Sequence, residues 1–269
     1  MAHLLYQAPF RTRFAIHTDD DGLIKALRIN YGNALVAEGT ASADHIISID
    51  RNDSAHRVTF GTQAIVTKEP LYELERILFE HTHYDESILA LHGAAVEWQG
   101  AAYLFLAATT GGKTTLASYL THHGFGYLTD DCILLDRQKQ VIHPDGKPIH
   151  LRSGGLSVLR NCGAAPASWQ IFQTPQGERY VFLPETVCAS PVPPAGIFFL
   201  NRTEDTNAIT CLGTNDALHE LLRSPITPYT PQGDYLRLLL RIAAHGCYML
   251  TYCDMEWVRR QITEGTFRG

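Results

Sequence analysis

The sequence predicts an α/β fold in which a mixed sheet has flanking helices and is preceded by a small α+β lobe. Two features of the longer part support this prediction. An apolar run over residues 101–106 leads into a glycine-rich motif and a helical pattern, and another over residues 125–128 ends in paired acids. Residues 1–85 differ, because short alternating runs there precede one amphipathic segment. We therefore expect a lobe over residues 1–85 and a larger domain over residues 86–269.

The first of these features is a strand, a loop and a helix in direct succession. The run 101–106 is apolar throughout, which is typical of a buried strand. After the loop, Leu116, Ala117 and Leu120 recur at helical spacing, and Gly124 is placed to end that helix.

The loop itself, residues 107–114, has the sequence Ala-Ala-Thr-Thr-Gly-Gly-Lys-Thr. Apart from alanine at its first position, this matches the phosphate-binding motif, in which glycines let backbone N–H groups turn toward phosphate oxygens. In that motif the lysine contacts the β- and γ-phosphates and the threonine hydroxyl binds Mg²⁺. Ala107 fits only if its φ is negative. An ordinary Gly-Gly turn remains the alternative. The motif predicts a nucleotide site made of Thr109, Thr110, Gly111, Gly112, Lys113, Thr114 and Thr115.

Two more groups of residues could contribute chemistry at the same place. His92 precedes an apolar run that would lead into the strand before the loop, and Asp130-Asp131 ends the run 125–128. Ligands of open α/β sheets bind beyond the carboxyl ends of strands, so both acids would lie near the phosphates. One acid can bind Mg²⁺ while the other accepts a proton. The alternatives are a solvated Asp-Asp turn and a hydrogen-bonded core histidine.

In this order and spacing, His92, the 107–114 motif and Asp130-Asp131 resemble the catalytic domain of HPr kinase/phosphorylase, a bacterial P-loop serine kinase. The resemblance covers residues 88 to 160 and implies a kinase core of the HPr kinase/PEP carboxykinase type. Chain length and the divergent N-terminal region resemble a shorter branch of that family. This branch includes kinases of lasso-peptide biosynthesis, which phosphorylate a serine hydroxyl, such as a C-terminal serine, on the precursor peptide.

The resemblance also implies a role for each matching residue. Lys113 and Thr114 would hold the triphosphate and Mg²⁺. Asp130 would be the general base that takes the proton from the acceptor hydroxyl, and Asp131 would lie in the metal shell. His92 would lie close to Asp130 and to the transferring phosphate.

Some positions depart from the family pattern. Thr110 stands where these kinases tend to carry another glycine. Residues 150–156 look like a degenerate counterpart of the family's Glu-Ile-Arg-Gly-Leu-Gly signature, with His150 in place of a glutamate that helps to hold the metal. Arg152 is retained and could stabilise transition-state charge on the phosphates. Its alternative is a surface arginine before a Ser-Gly-Gly turn.

Composition limits the class of protein. The 269 residues carry a formal net charge of −6 without a block of basic residues, so no nucleic-acid partner is expected. Six cysteines without a C-x-x-C pair are typical of reduced thiols. The N-terminus lacks the pattern of a signal peptide and no apolar stretch has membrane-spanning length, so we expect a cytoplasmic protein without a membrane partner.

Periodicity predicts several further elements. Pro70 would open a helix with an apolar face at Leu71, Leu74, Ile77 and Leu78. Asp234 would be the N-cap of a later helix whose apolar face is Leu236, Leu239, Leu240 and Ala243. Strands are predicted over residues 45–49, 57–60, 180–183 and 197–200, and a last strand and helix between 247 and 263.

Together these features predict a kinase that uses ATP and Mg²⁺ to phosphorylate a serine-type hydroxyl of a small protein or peptide. A nucleotide-binding sensor without transfer activity is the first alternative, and a small-molecule kinase or ATPase on the same core is the second. The choice between ATP and GTP stays open. A homo-oligomer is compatible with the resemblance because HPr kinases form rings.

Overall fold

The computed structural model shows a mixed α/β protein. It describes residues 2–7, 12–36, 43–83, 88–174, 176–224, 232–243 and 246–266. The chain divides into two compact units, of which the first comprises Met1–Asp85 and Asp145–Pro148 and the second comprises Glu86–Pro144 and Ile149–Gly269.

The first unit contains one mixed sheet, which has six strands within the described residues, in the order β3-β1-β2-β4-β5-β6. Its strands are β1 (Ala2–Gln7), β2 (Arg13–Thr18), β3 (Leu35–Val36), β4 (His45–Asn52), β5 (Ala55–Phe60) and β6 (Gln63–Thr67). The two strands predicted from alternation are parts of β4 and β5, which are antiparallel and joined at Asp53, a turn residue with a φ of 47°.

Two helices and a short 3₁₀ turn accompany this sheet: α1 (Asp21–Tyr31), the turn Gly32–Ala34 and α2 (Pro70–His83). The predicted start of α2 at Pro70 is confirmed. Leu74, Ile77 and Leu78 are buried, and they join Phe14 and Ile47 among the residues of one apolar core. Burial of this face, rather than helix propensity, stabilises such a helix.

The second unit contains twelve strands and five helices within the described residues. The strands are β7 (Ile88–Leu91), β8 (Gly93–Trp98), β9 (Ala101–Leu106), β10 (Gly126–Thr129), β11 (Ile133–Asp136), β12 (Val141–His143), β13 (Ile149–Arg152), β14 (Gln170–Thr174), β15 (Gly177–Phe182), β16 (Pro194–Arg202), β17 (Ala208–Cys211) and β18 (Cys247–Tyr252). The helices are α3 (Lys113–His122), α4 (Ser153–Asn161), α5 (Thr214–Leu221), α6 (Gln232–Ala243) and α7 (Met255–Thr263).

The central sheet of this unit has the order β10-β8-β9-β16-β18-β17. Strand β8 is antiparallel to both of its neighbours, β9 and β10, so those two strands run in the same direction. Strands β16 and β18 are parallel to β9 as well. The carboxyl ends of β9, β10, β16 and β18 therefore lie at one edge of the sheet, which we call the carboxyl edge.

Alternation along β9 directs side chains into two separate cores. Tyr103 and Phe105 pack with residues of α3, α4 and α7. Leu104 and Leu106, on the opposite face, pack with residues of α5 and α6. The central sheet is thus covered by helices on both faces, which explains why β9 is apolar at nearly every position.

Two smaller sheets complete the second unit, with orders β12-β11-β7 and β13-β15-β14. In the second of these, β13 and β15 are antiparallel, and Arg152 is directly opposite Arg179.

Two sequence predictions are corrected. Helix α6 begins at Gln232, so Asp234 lies inside the helix and is not its N-cap. Leu239 and Ala243 are buried as predicted, but Leu240 is exposed, while the side chain of Leu236 is outside the described part. Of the alternative given for Arg152, the surface position is observed, whereas Ser153-Gly154-Gly155 forms the first turn of α4.

Within the described part of the chain, no helix is both long enough and apolar enough to cross a membrane. All six cysteines are free thiols.

Asp20 caps α1 and connects it to the sheet of the first unit. Its Oδ1 accepts the Leu23 N–H at 3.0 Å, and its Oδ2 lies 2.9 Å from His56 Nε2. These contacts, the His56 hydrogen bond foremost, hold the pKa of Asp20 below its usual value. Because a carboxylate with a lowered pKa stabilises only when ionised, its contribution is present above about pH 3.9 and is lost as pH falls through the folded-state pKa.

We therefore expect Asp20→Ala to lower the free energy of unfolding by about 1 kcal/mol at pH 7 and by progressively less in acid, measured by urea denaturation. Asp19→Ala is the control, since Asp19 is exposed and adjacent. An equal loss in both variants at pH 7 would contradict the capping role.

Candidate functional site

The residues singled out from the sequence converge at the carboxyl edge of the central sheet. The glycine-rich loop, residues 107–112, follows β9, and Asp130-Asp131 follows β10. His92 comes just before β8, and Gly93 of β8 pairs with Leu106, the last residue of β9. Because β8 runs against its neighbours, its amino end lies beside their carboxyl ends.

The glycine-rich loop is a tight turn between β9 and α3. The Gly111 N–H donates to the Ala108 carbonyl at 3.0 Å. Thr110 and Gly112 have positive φ values of 69° and 90°, whereas Ala107 does not have a positive φ. The alanine at the first motif position is therefore compatible with the backbone. Thr110 adopts a conformation that costs a non-glycine residue about 1–2 kcal/mol.

Lys113, the first residue of α3, folds back onto the loop. Its Nζ donates to the Ala107 carbonyl at 2.9 Å and to the Ala108 carbonyl at 3.2 Å, and the residue is only 5% exposed. Burial lowers the pKa of Lys113, while the carboxylates of Asp131 and Asp130 act in the opposite direction. An ammonium group is thus held beside the loop by two backbone carbonyls.

Thr114 connects the loop helix to the acid pair. Its hydroxyl donates to Asp130 Oδ1 at 2.9 Å, across sixteen positions of sequence. Asp130 is 8% exposed, whereas Asp131 is exposed and has a φ of 70°. The two neighbouring acids are therefore in different environments, one buried against α3 and one facing solvent.

The His92 ring contacts the backbone of the acid pair. Its Nδ1 lies 3.1 Å from the Asp131 carbonyl oxygen, which can only accept, so Nδ1 carries the proton in this contact. The His92 N–H donates to the Ser224 carbonyl at 2.7 Å. The expected proximity of His92 to the acids thus takes the form of a contact with Asp131.

Thr109 and Thr110 are exposed, and the Thr110 hydroxyl donates to the Thr109 carbonyl at 2.5 Å. Thr115 is half-buried and lies close to the start of α4. A Cβ added to Gly155 would lie 2.8 Å from Thr115 Oγ1. The start of α4, directly after Arg152, therefore packs against the first turn of α3.

Arg152 and His150 lie on the same face of β13, since they are two residues apart in a strand. Arg152 is exposed. The His150 ring makes an edge contact with Phe172, with 6.5 Å between ring centroids.

Two residues near this edge are missed by the sequence analysis. Arg179 of β15 is only 9% exposed and faces Arg152 across the strand pair. Tyr252, the last residue of β18, is buried next to the loop: a Cβ added to Gly112 would lie 2.9 Å from its hydroxyl oxygen. Burial raises the pKa of Tyr252 to about 12. Neither residue belongs to a recognisable motif, and only strand register could have identified them.

Among the described residues, no group of three or more histidine, cysteine and acidic side chains could hold a metal ion. The donor set at the carboxyl edge nevertheless suits Mg²⁺, which needs hard oxygen ligands and is usually held by one or two protein groups together with phosphates. Thr114 and the carboxylates of Asp130 and Asp131 are such oxygens. Their chemistry fits a metal that arrives with a nucleotide.

Comparison with protein-family models gives no match, and comparison with curated protein sequences gives none either.

Gly112 is constrained both by its positive φ and by the nearby Tyr252 hydroxyl. A substitution at Gly112 therefore tests the structure of the loop directly. Gly124 has nearly the same φ, 89°, but no atom within 4 Å of an added Cβ. We expect Gly124→Ala to cost about 1 kcal/mol of unfolding free energy and Gly112→Ala to cost about 2–3 kcal/mol, both measured by urea denaturation.

The excess cost should shrink when Gly112→Ala is combined with Tyr252→Phe, because that change removes the oxygen the new methyl group would meet. Equal costs for the two alanine variants would contradict a close contact between Tyr252 and the loop.

Proposed function

We propose that this protein is a kinase that transfers the γ-phosphoryl group of a Mg²⁺-bound nucleotide, with ATP as the expected donor, to a serine-type hydroxyl. The observation that carries the proposal is the hydrogen bond from Thr114 to Asp130. It joins the first turn of α3, directly after the glycine-rich loop, to a carboxylate. This supports the proposal because phosphoryl transfer requires triphosphate, metal and acceptor to meet at one point.

The triphosphate would be bound by the backbone N–H groups of the loop and by the start of α3. Thr109, Thr110, Gly111, Gly112 and Thr115 supply the loop and the first turn. The positive end of the α3 dipole favours anions, and no side chain of the described residues caps this helix. When the triphosphate binds, the Lys113 ammonium would donate to phosphate oxygens in place of the Ala107 and Ala108 carbonyls.

The metal would be held by Thr114 and Asp131 together with the phosphates. Mg²⁺ neutralises charge that develops on the phosphates during transfer. The protein's own contribution is to fix oxygen ligands beside the loop.

Asp130 would act as the general base. As the acceptor oxygen forms its bond to the γ-phosphorus, Asp130 takes the hydroxyl proton, and the bond from the γ-phosphorus to the β,γ-bridging oxygen breaks to release the nucleoside diphosphate. His92, tied to the Asp131 carbonyl, would position the acid pair. Arg152 would supply positive charge beside the reaction centre.

The contact with Thr114 is equally compatible with the reverse assignment of the two acids, which is the alternative to Asp130 as base. A carboxylate bonded to the metal-binding hydroxyl is well placed to hold the metal, and the exposed Asp131 would then meet the acceptor. The two assignments differ in nucleotide affinity: the metal-binding acid should affect Mg²⁺-dependent binding when changed to asparagine, whereas the base should affect transfer alone.

The mixed sheet with helices on both faces supports a P-loop kinase core of the HPr kinase/PEP carboxykinase type. The resemblance to that family favours a small protein or peptide as acceptor, with a lasso-peptide precursor as the first candidate. Residues 1–85 would recognise that acceptor. We further propose that the protein acts in the cytoplasm as a homo-oligomer.

The decisive experiment uses mass spectrometry. Peptides extracted from the source organism are incubated with Mg-ATP and the protein, and a mass gain of one phosphate is sought. We expect the gain with wild-type protein, a loss of roughly 100-fold or more in initial rate with Asp130→Asn, and little change with Asp216→Asn, an exposed carboxylate on α5.

Fragmentation of the modified peptide would identify the acceptor hydroxyl. If Mg-ATP binds wild-type and Asp130→Asn protein equally but no peptide gains phosphate, the kinase proposal fails for peptides, and a nucleotide-binding sensor replaces it.

A further inference from the structure

Arg152 and Arg179 form a pair of like charges on one face of the β13-β15-β14 sheet. They are directly opposite each other in an antiparallel pair of strands, so their side chains project from the same face with Cβ atoms about 5 Å apart. Like charges in this position destabilise a sheet. An anion that binds between them would remove that cost.

Arg179, the second member of this arginine pair, is nearly buried. Arg179 Nη1 donates to the carbonyls of Gly177 at 3.4 Å and Glu178 at 3.2 Å. No carboxylate of the described residues lies within 4.0 Å of its guanidinium. Burial lowers the pKa of Arg179 and the charge of Arg152 lowers it further, while Asp131 acts in the opposite direction. A buried cation is normally paired, so this one is short of an anion.

The arginine pair is adjacent to the carboxyl edge. Gly155 at the start of α4 approaches Thr115 of α3, and Arg152 directly precedes α4. The first turn of α4 has no side-chain cap among the described residues, so its backbone N–H groups add to the positive potential. Asp131 interacts electrostatically with Arg179 and also with Lys113, so the arginine pair and the loop share an acidic neighbour.

From this placement we infer that Arg152 and Arg179 form a second anion-binding subsite, distinct from the triphosphate site, that takes an oxyanion of the acceptor. The acceptor would then carry a carboxylate or phosphate close to the hydroxyl that is phosphorylated. Two planar guanidinium groups suit bidentate binding of such a group. This inference rests on the proposed function, because it assigns the subsite to that reaction's acceptor.

The triphosphate has its own set of ligands, which argues for the acceptor as the source of the anion. The loop amides, Lys113 and the start of α3 all come from the β9–α3 connection. The arginine pair comes from a different sheet. An oxyanion held there fixes the acceptor's orientation without competing for the nucleotide's contacts.

The test uses inorganic sulfate as the probe and isothermal titration calorimetry on the full chain saturated with Mg-AMP-PNP, in which the γ-position is filled. We expect wild-type protein to bind sulfate in this state. Arg179→Gln and Arg152→Gln should each weaken sulfate binding roughly 10-fold or more, through loss of a charge-assisted contact, and Arg179→Gln should leave the affinity for Mg-AMP-PNP unchanged. Arg260→Gln, an exposed arginine on α7, is the matched control and should bind like wild type.

Other outcomes overturn the inference. Sulfate that binds the Mg-ADP complex but not the Mg-AMP-PNP complex would assign the arginine pair to the γ-phosphoryl group. A parallel loss of sulfate and nucleotide affinity in Arg179→Gln would do the same. Equal sulfate affinity in all variants would exclude the subsite altogether.

The test also separates this inference from the proposed function. If neither nucleotide binds, the kinase proposal fails, yet sulfate titration of nucleotide-free Lys113→Ala protein, with and without Arg179→Gln, still decides whether the pair binds an oxyanion. Circular dichroism melting checks that each variant folds. If Arg179→Gln does not fold, Arg152→Gln, at an exposed position, still tests the subsite.

Discussion

The hydrogen bond from the Thr114 hydroxyl to Asp130 is the contact on which the candidate site depends. It joins two sequence motifs that follow different strands, and it forms only because β9 and β10 run in the same direction on either side of β8. If β10 ran the other way, its acids would lie at the far edge of the sheet. The directions of the central strands therefore determine where the two acids lie relative to the loop.

Two buried cations at the carboxyl edge, Lys113 and Arg179, are only partly neutralised by their contacts. Lys113 is buried and held by two carbonyls, and Arg179 is buried and held by two others. Backbone carbonyls compensate a cation only in part, so both side chains would gain from an incoming anion. Asp131 interacts electrostatically with both cations, and Asp130 interacts with Lys113, so the two acids reduce the positive potential at this edge. This balance supports the proposed binding of a polyanion together with Mg²⁺.

Local patterns predicted the strand β9, the helix α3, the start of α2 and the strand that ends in Asp130-Asp131, because each has a clear apolar period or a strong boundary residue. They failed where tertiary context decides. Leu240 is exposed because α6 is rotated relative to the predicted face, and its start at Gln232 precedes the residue chosen as cap. Arg179 was unpredictable for a different reason: its importance arises from register with Arg152 across β13 and β15, which no local pattern records.

The most direct test of the central claim is the affinity of Mg-AMP-PNP and Mg-GMP-PNP for wild-type protein and for Lys113→Ala, measured by isothermal titration calorimetry. Lys25→Ala, which removes an exposed lysine of α1, is the control. The account predicts binding of at least one analogue, a loss of roughly 10-fold or more in Lys113→Ala and no loss in Lys25→Ala. Equal affinity in the three proteins, or no binding to wild type, would contradict a triphosphate site at the glycine-rich loop.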